Sequence, residues 1–140
     1  VLGELVPELQ ARRDAHKKDA SLRFSPIVIV VDGLASVIER AEQKAVARLE
    51  VFIRLGEGIG VTVIGADTAN NAELAYFSQN ILMETLHEGP MLLMGGSPAE
   101  HRIADAQALS RQFPQGFAPD QMVLARGGAF TAVKRMRAVG

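Results

Sequence analysis

Residues 26–36 read PIVIVVDGLAS, and this stretch decides the fold. Five consecutive β-branched aliphatics, Ile27, Val28, Ile29, Val30 and Val31, leave a strand no polar face, so cover is expected on both sides. That is the pattern of a central strand in a parallel sheet. Asp32 falls where the strand ends, and in open α/β sheets ligands bind outside the carboxyl ends of the strands. An acid there can hold a metal, sit beside a nucleotide, or serve as a turn or cap residue.

Downstream, Ser36 is placed to cap a helix, with Glu39 completing a capping box. Val37, Ile38, Ala41, Ala45, Leu49, Phe52 and Ile53 make one apolar stripe, which predicts a single helix of about five turns ending in the glycine-rich 56–60 turn. Residues 61–66 are a second short apolar strand. Strand, helix and strand form a βαβ unit, which requires a parallel pair with a right-handed crossover. Asp67 and Thr68 then share the sheet end with Asp32.

Upstream, Leu2, Leu5, Val6 and Leu9 predict a helix to about residue 18, with Pro7 admitted only in its first turn. Arg12, Arg13, His16, Lys17 and Lys18 give it a basic C-terminal end that suits the helix dipole. Farther on the pattern predicts a short helix over 69–78, a third strand over 80–84, a fourth over 91–94 and a helix over 99–109. After a loop at 116–120, a hairpin over 122–133 turns at Gly127 and Gly128. The fold class is α/β: a three-layer sandwich with a mainly parallel sheet and a C-terminal β-hairpin, residues 1–140 forming one domain.

The chain has 140 residues, 48% of them hydrophobic, with no tryptophan, so its core is aliphatic. A formal net charge of −1 gives no electrostatic footprint for nucleic acid or an anionic membrane. The absence of cysteine excludes disulfides and thiolate chemistry and suits a reducing compartment. No apolar run is long enough to insert in a bilayer. Opening at Val1 on a helical pattern, without a methionine, the sequence reads as a piece of a longer product.

An apolar strand ending in an acid matches the Walker B pattern, whose Asp holds magnesium on a nucleotide and whose following Glu polarises the attacking water. Here Gly33 stands in place of that Glu, and glycine can neither orient water nor accept a proton. The partner motif, GxxxxGK(S/T), is missing: no lysine in the chain follows a glycine. Gly95, Gly96 and Ser97 read as a tight turn. His16, His87 and His101 lack metal-ligand spacing, and no GxSxG elbow occurs. Asp32 to Ser36 nearly spells the DxSxS metal-adhesion motif, but Leu34 occupies the first serine. Arg12, Arg13 and Arg54 are either phosphate-reaching fingers or solvated helix ends.

Taken in order, the helix ending in Arg-Arg, IVIVVDGL, a long helix, RLGEGIGVTVIGADTANN, LLMGGSPAEH and a hairpin around ARGGAF resemble a FtsK/SpoIIIE-type ATPase domain of the P-loop NTPase (RecA/FtsK-like) class, downstream of its phosphate loop. The resemblance is greatest to the C-terminal, degenerate ATPase domain of the type VII (ESX/WXG100) secretion ATPase, the EssC/EccC family. It implies that Asp32 is the Walker B acid and possible magnesium ligand, and that Asp67 and Thr68 occupy the polar positions after the next strand. ATP and magnesium are the family's cofactors, but Gly33 and the missing basic residue imply that this copy does not hydrolyse ATP by itself, so no cofactor is expected.

The role so implied is regulatory and protein-binding. The partners are WXG100-type secreted proteins or their export signals and neighbouring ATPase domains of the same motor, on the cytoplasmic face of a membrane-anchored protein. Leu74, Tyr76, Phe77, Phe113 and Phe117 are the candidate lining of such a binding pocket. The alternative is the C-terminal part of an active ATPase, driving protein or DNA translocation, whose phosphate loop lies on other residues.

Overall fold

The aliphatic run forms strand β1 (Ile27–Asp32), paired in parallel with β2 (Val61–Ala66) so that Ile27 lies beside Val61 and Asp32 beside Ala66. The structure is a computed structural model, and it describes residues 2–134. Between the strands the chain runs through α2 (Leu34–Arg40) and α3 (Gln43–Gly56), giving the expected βαβ unit. The covered face of the pair carries Ile29, Val31 and Val63. They pack with a core of Leu34, Leu49, Ala75, Leu82 and Met83. Ile27 joins a neighbouring cluster of Leu9, Phe52, Ile59 and Val61.

The other face is open, against expectation. Val28 is 55% and Val30 64% exposed, and Ile64 beside them is 47% exposed. Among the described residues the core clusters take Ile27, Ile29 and Val31 but neither Val28 nor Val30, so five aliphatics in a row do not by themselves bring two covering layers.

Helix α1 (Leu2–Lys18) ends in the expected basic turn, but Pro7 lies well inside it. The ring removes one backbone donor and the helix continues, because Leu9 and Arg12 beyond it are buried and tertiary contact holds the segment. The Arg12 guanidinium donates through Nη1 to the carbonyls of Ser25 at 2.7 Å and Ile59 at 3.2 Å, through Nε to Glu8 at 2.7 Å, and lies over the Phe24 ring. It ties α1 to the start of β1 and to the turn before β2.

The single long helix predicted over 36–56 is two helices, broken where Ala41 is extended. Its first turn starts at Leu34, so Ser36 is not the cap and its box with Glu39 does not form. The reason lies elsewhere in the chain. Leu34 is buried against Gly65, where an added Cβ would come within 2.7 Å of Leu34 Cδ2, so the helix begins early to seat Leu34. Gly33 takes the left-handed φ of +67° that this entry needs.

After β2 come α4 (Ala69–Phe77), as expected, and α5 (Ile81–His87), where a strand was expected. Asn80 decides that segment: its side chain accepts a hydrogen bond from Leu82 N–H, an N-cap, and Leu82 and Met83 become core. Strand β3 (Met91–Met94) leads into two 3-10 turns (Pro98–Glu100 and Arg102–Ala104) and the short α6 (Ala106–Gln112), in place of one helix over 99–109. Asp105, left-handed at φ 55°, restarts the helix by accepting from Ala108 N–H. The closing hairpin is as predicted: β4 (Gln121–Arg126) and β5 (Ala129–Lys134) turn at Gly127 and Gly128, both with positive φ.

Strand β3 pairs with β4 and β4 with β5, all antiparallel. The molecule is thus mixed α/β with a two-stranded parallel sheet and a separate three-stranded antiparallel sheet, rather than one mainly parallel sheet. The second sheet closes on Ala104 and Leu109 through Leu93, Val123 and Ala125. No helix among the described residues is long and apolar enough to cross a membrane.

Candidate functional site at the carboxyl ends of the parallel strands

The register that puts Asp32 beside Ala66 brings Asp32, Asp67 and Thr68 to one end of the parallel sheet, as predicted. Their environments differ. Asp32 closes β1 on its open face, is exposed, and has no hydrogen-bond or ion-pair partner among the described residues. It is a free carboxylate at the end of the row Val28, Val30, Asp32.

Asp67 is fully engaged. One oxygen accepts from Ala35 N–H at 2.8 Å; the other accepts from Thr68 N–H at 2.7 Å and the Asn71 side-chain amide at 2.9 Å. The start of α2 has free N–H groups and no side-chain acceptor at Gly33, so Asp67 supplies that acceptor and fastens α2 to α4. Desolvation pushes its carboxyl up, but the three donors outweigh this and hold it below the ordinary carboxylate value. Thr68 is the N-cap of α4, its Oγ1 accepting from Asn71 N–H at 3.3 Å. Both residues have capping work that the chain around them requires.

The glycine after Asp32 faces open space: a Cβ there would meet no atom within 4 Å. Its left-handed φ, however, would strain a glutamate by about 1 kcal/mol or more. Among the described residues no cluster of three or more His, Cys, Asp or Glu side chains is arranged to hold a metal. Of the candidate arginines, Arg12 is the buried tie described above and Arg54 pairs with Glu50 at 3.0 Å on its own helix. Neither reaches the strand ends. Neither Asp32 nor Asp67 has a basic side chain as a partner among the described residues.

The turn at Gly95, Gly96 and Ser97 is local: Ser97 and Glu100 form a capping box, with Glu100 accepting from Ser97 N–H at 3.1 Å and Oγ at 2.9 Å. A carboxylate occupies the concavity an anion would need. Among the predicted pocket-lining residues, Phe113 and Phe117 pack on the antiparallel core and Tyr76 on the parallel one, whereas Leu74 and Phe77 are exposed. A concavity of about 340 Å³ lies instead between the α5–β3 turn and the hairpin, bordered by His87, Met91, Arg126 and Phe130. Nothing in the local sequence marks it, because its walls come from segments far apart in the chain. Comparison with protein-family models, with curated proteins and with solved structures found no match.

Proposed function

We propose that this chain is a degenerate ATPase-fold module of a type VII secretion motor, of P-loop sandwich ancestry, that binds protein and regulates without hydrolysing ATP. One observation carries the reading: the end of the parallel sheet where a nucleotide would sit holds one free carboxylate, Asp32, followed by a left-handed glycine, while Asp67 and Thr68 are committed to helix caps. Hydrolysis needs a water-orienting base and cations on the phosphates, and the described residues bring neither to this sheet end. Such a module acts through surfaces, and the open face of β1 and β2 is one.

Isothermal titration with ATP-magnesium, the Asp32→Ala variant alongside, tests the reading. No heat and no thermal shift are expected. Micromolar binding that Asp32→Ala removes would overturn it.

The split sheet favours the second reading, the C-terminal part of an active ATPase. Strand β2 pairs only with β1, and β3 only with β4, among the described residues. One parallel strand from a phosphate-loop segment could satisfy both free edges and complete a three-layer sandwich. ATP hydrolysis by a longer polypeptide carrying GxxxxGK(S/T), lost on Asp32→Ala, would establish this reading in place of the first.

A further inference from the structure

Strand β1 has a free edge as well as an open face. Ile27 N–H donates to the Gly60 carbonyl at 2.8 Å, on the β2 side. Successive residues of a strand turn their backbone groups to opposite edges, so Ile27, Ile29 and Val31 serve β2. Val28, Val30 and Asp32 point N–H and C=O the other way, where these groups have no hydrogen-bond partner among the described residues. Among the described elements only β2 runs alongside the β1 backbone, so this edge is not sheathed by a helix. Edge strands are ordinarily blunted by lysine, proline or a bulge. From Ile27 to Asp32 the strand has none of these, and its register with β2 is unbroken.

The edge matches itself in one register. Two copies of β1 meeting antiparallel about a two-fold axis must set outward residues against outward residues. Centred on Val30, Val30 faces Val30, Val28 faces Asp32 of the second copy, and every outward N–H and C=O finds a partner. A centre at Val28 or Ile29 sets an outward residue against Pro26, which has no N–H; a centre at Val31 or Asp32 sets Val28 against α2. Charge selects the same arrangement. Asp32 is the strand's one charged side chain, and this register lays it beside Val28 of the other copy, the two carboxylates about 14 Å apart along the strands. A parallel partner ending in an acid would set like charges side by side.

We propose that β1 pairs antiparallel with β1 of a second copy of this chain, about a two-fold axis at Val30, joining two parallel pairs into one β2-β1-β1-β2 sheet. The open faces then lie on the same side, and the two Val30 side chains cover one another. The pairing uses backbone groups and does not depend on nucleotide binding.

Sedimentation of the whole chain from micromolar to millimolar concentration is expected to show a monomer–dimer equilibrium. Over the same series the amides of Val28, Val30 and Asp32 should gain protection from hydrogen exchange. Val30→Pro removes the N–H at the axis without touching a β1–β2 bond, and should weaken the dimer at least about tenfold. Val30→Lys keeps that N–H but sets two ammonium groups opposite each other, and should weaken it likewise, even where the proline variant fails to fold. The chain has no cysteine, so oxidation of a Val30→Cys variant should link two chains whose Cα atoms lie about 5.5 Å apart. Val28→Cys, about 14 Å from its counterpart, should link far less. A monomer at every concentration, a dimer that both Val30→Pro and Val30→Lys leave intact, or equal linking at 28 and 30 overturns the proposal. Protection of Val28, Val30 and Asp32 in a monomer would place another segment of the polypeptide on this edge and overturns it too.

Discussion

The parallel and antiparallel sheets are made of similar sequence, IVIVVD in β1 and MLLM in β3, and each has one buried and one open face. In the antiparallel sheet that arrangement is ordinary: Leu93 and Val123 are sealed, Leu92 and Met94 face out, and hairpin-connected strands commonly leave one face to solvent. In the parallel sheet it is not ordinary, since parallel pairs normally lie between two layers. Val28, Val30 and Ile64 form an uncovered aliphatic row ending in the free carboxylate of Asp32. The difference teaches that an all-aliphatic strand specifies a surface that favours cover, without specifying which polypeptide supplies it.

If the two sheets are separate packing units, their cores should fail separately. Leu82, under the parallel sheet, and Leu109, under the antiparallel one, are both fully buried and share no cluster. Each truncation to Ala is expected to cost about 2–5 kcal/mol in urea unfolding. The double variant should equal the sum of the two within about 0.5 kcal/mol. Coupling well above that would show one core where two are drawn.

Arg12 belongs to the parallel half alone. Arg12→Met keeps the apolar stem but strands the carbonyls of Ser25 and Ile59, which should cost about 2 kcal/mol. Hydrogen exchange is expected to quicken in β1 and β2 while β3 to β5 keep their protection. Equal loss in both sheets would break the comparison.

A smaller effect is expected at Asp67, whose carboxyl three hydrogen-bond donors hold below its ordinary value against the opposing effect of desolvation. A group whose folded value lies below its unfolded 3.8 contributes stability at higher pH and loses it as pH falls through the folded value. Asp67→Ala should therefore cost about 1 kcal/mol at neutral pH. The two proteins should converge in acid, where the native carboxylate is protonated. A constant difference across the range would mean that Asp67 acts by packing and not by accepting hydrogen bonds.

What could be read from sequence follows from how local each signal is. β1, β2 and the Gly127-Gly128 hairpin were legible because aliphatic runs and turn glycines act within a few residues. The gathering of Asp32, Asp67 and Thr68 was legible because a βαβ unit fixes which strand ends meet. The start of α2 was not: Ser36 and Glu39 offered a local cap, and Asp67, thirty-two positions from Ala35, outcompeted it. Nor was α5, where Ile81, Leu82 and Met83 suit either period and one Asn80 hydrogen bond decides. Asp67 and Thr68 stand at the sheet end where ligands bind, yet both have a capping task that residue type alone does not reveal.

The smallest expected effect is on the open face, and it bears most directly on the comparison. Val28→Thr with Val30→Thr exchanges largely exposed methyls for hydroxyls outside the buried clusters, so stability should change by no more than about 0.5 kcal/mol. Ile29→Thr, one position away on the covered face, should cost more than about 1 kcal/mol, since its hydroxyl enters an aliphatic core. Light scattering should show the double variant less prone to associate than the wild type, because a contiguous aliphatic row has been broken. If the double variant instead destabilises as Ile29→Thr does, the row is covered in solution and the parallel sheet is no exception to its class.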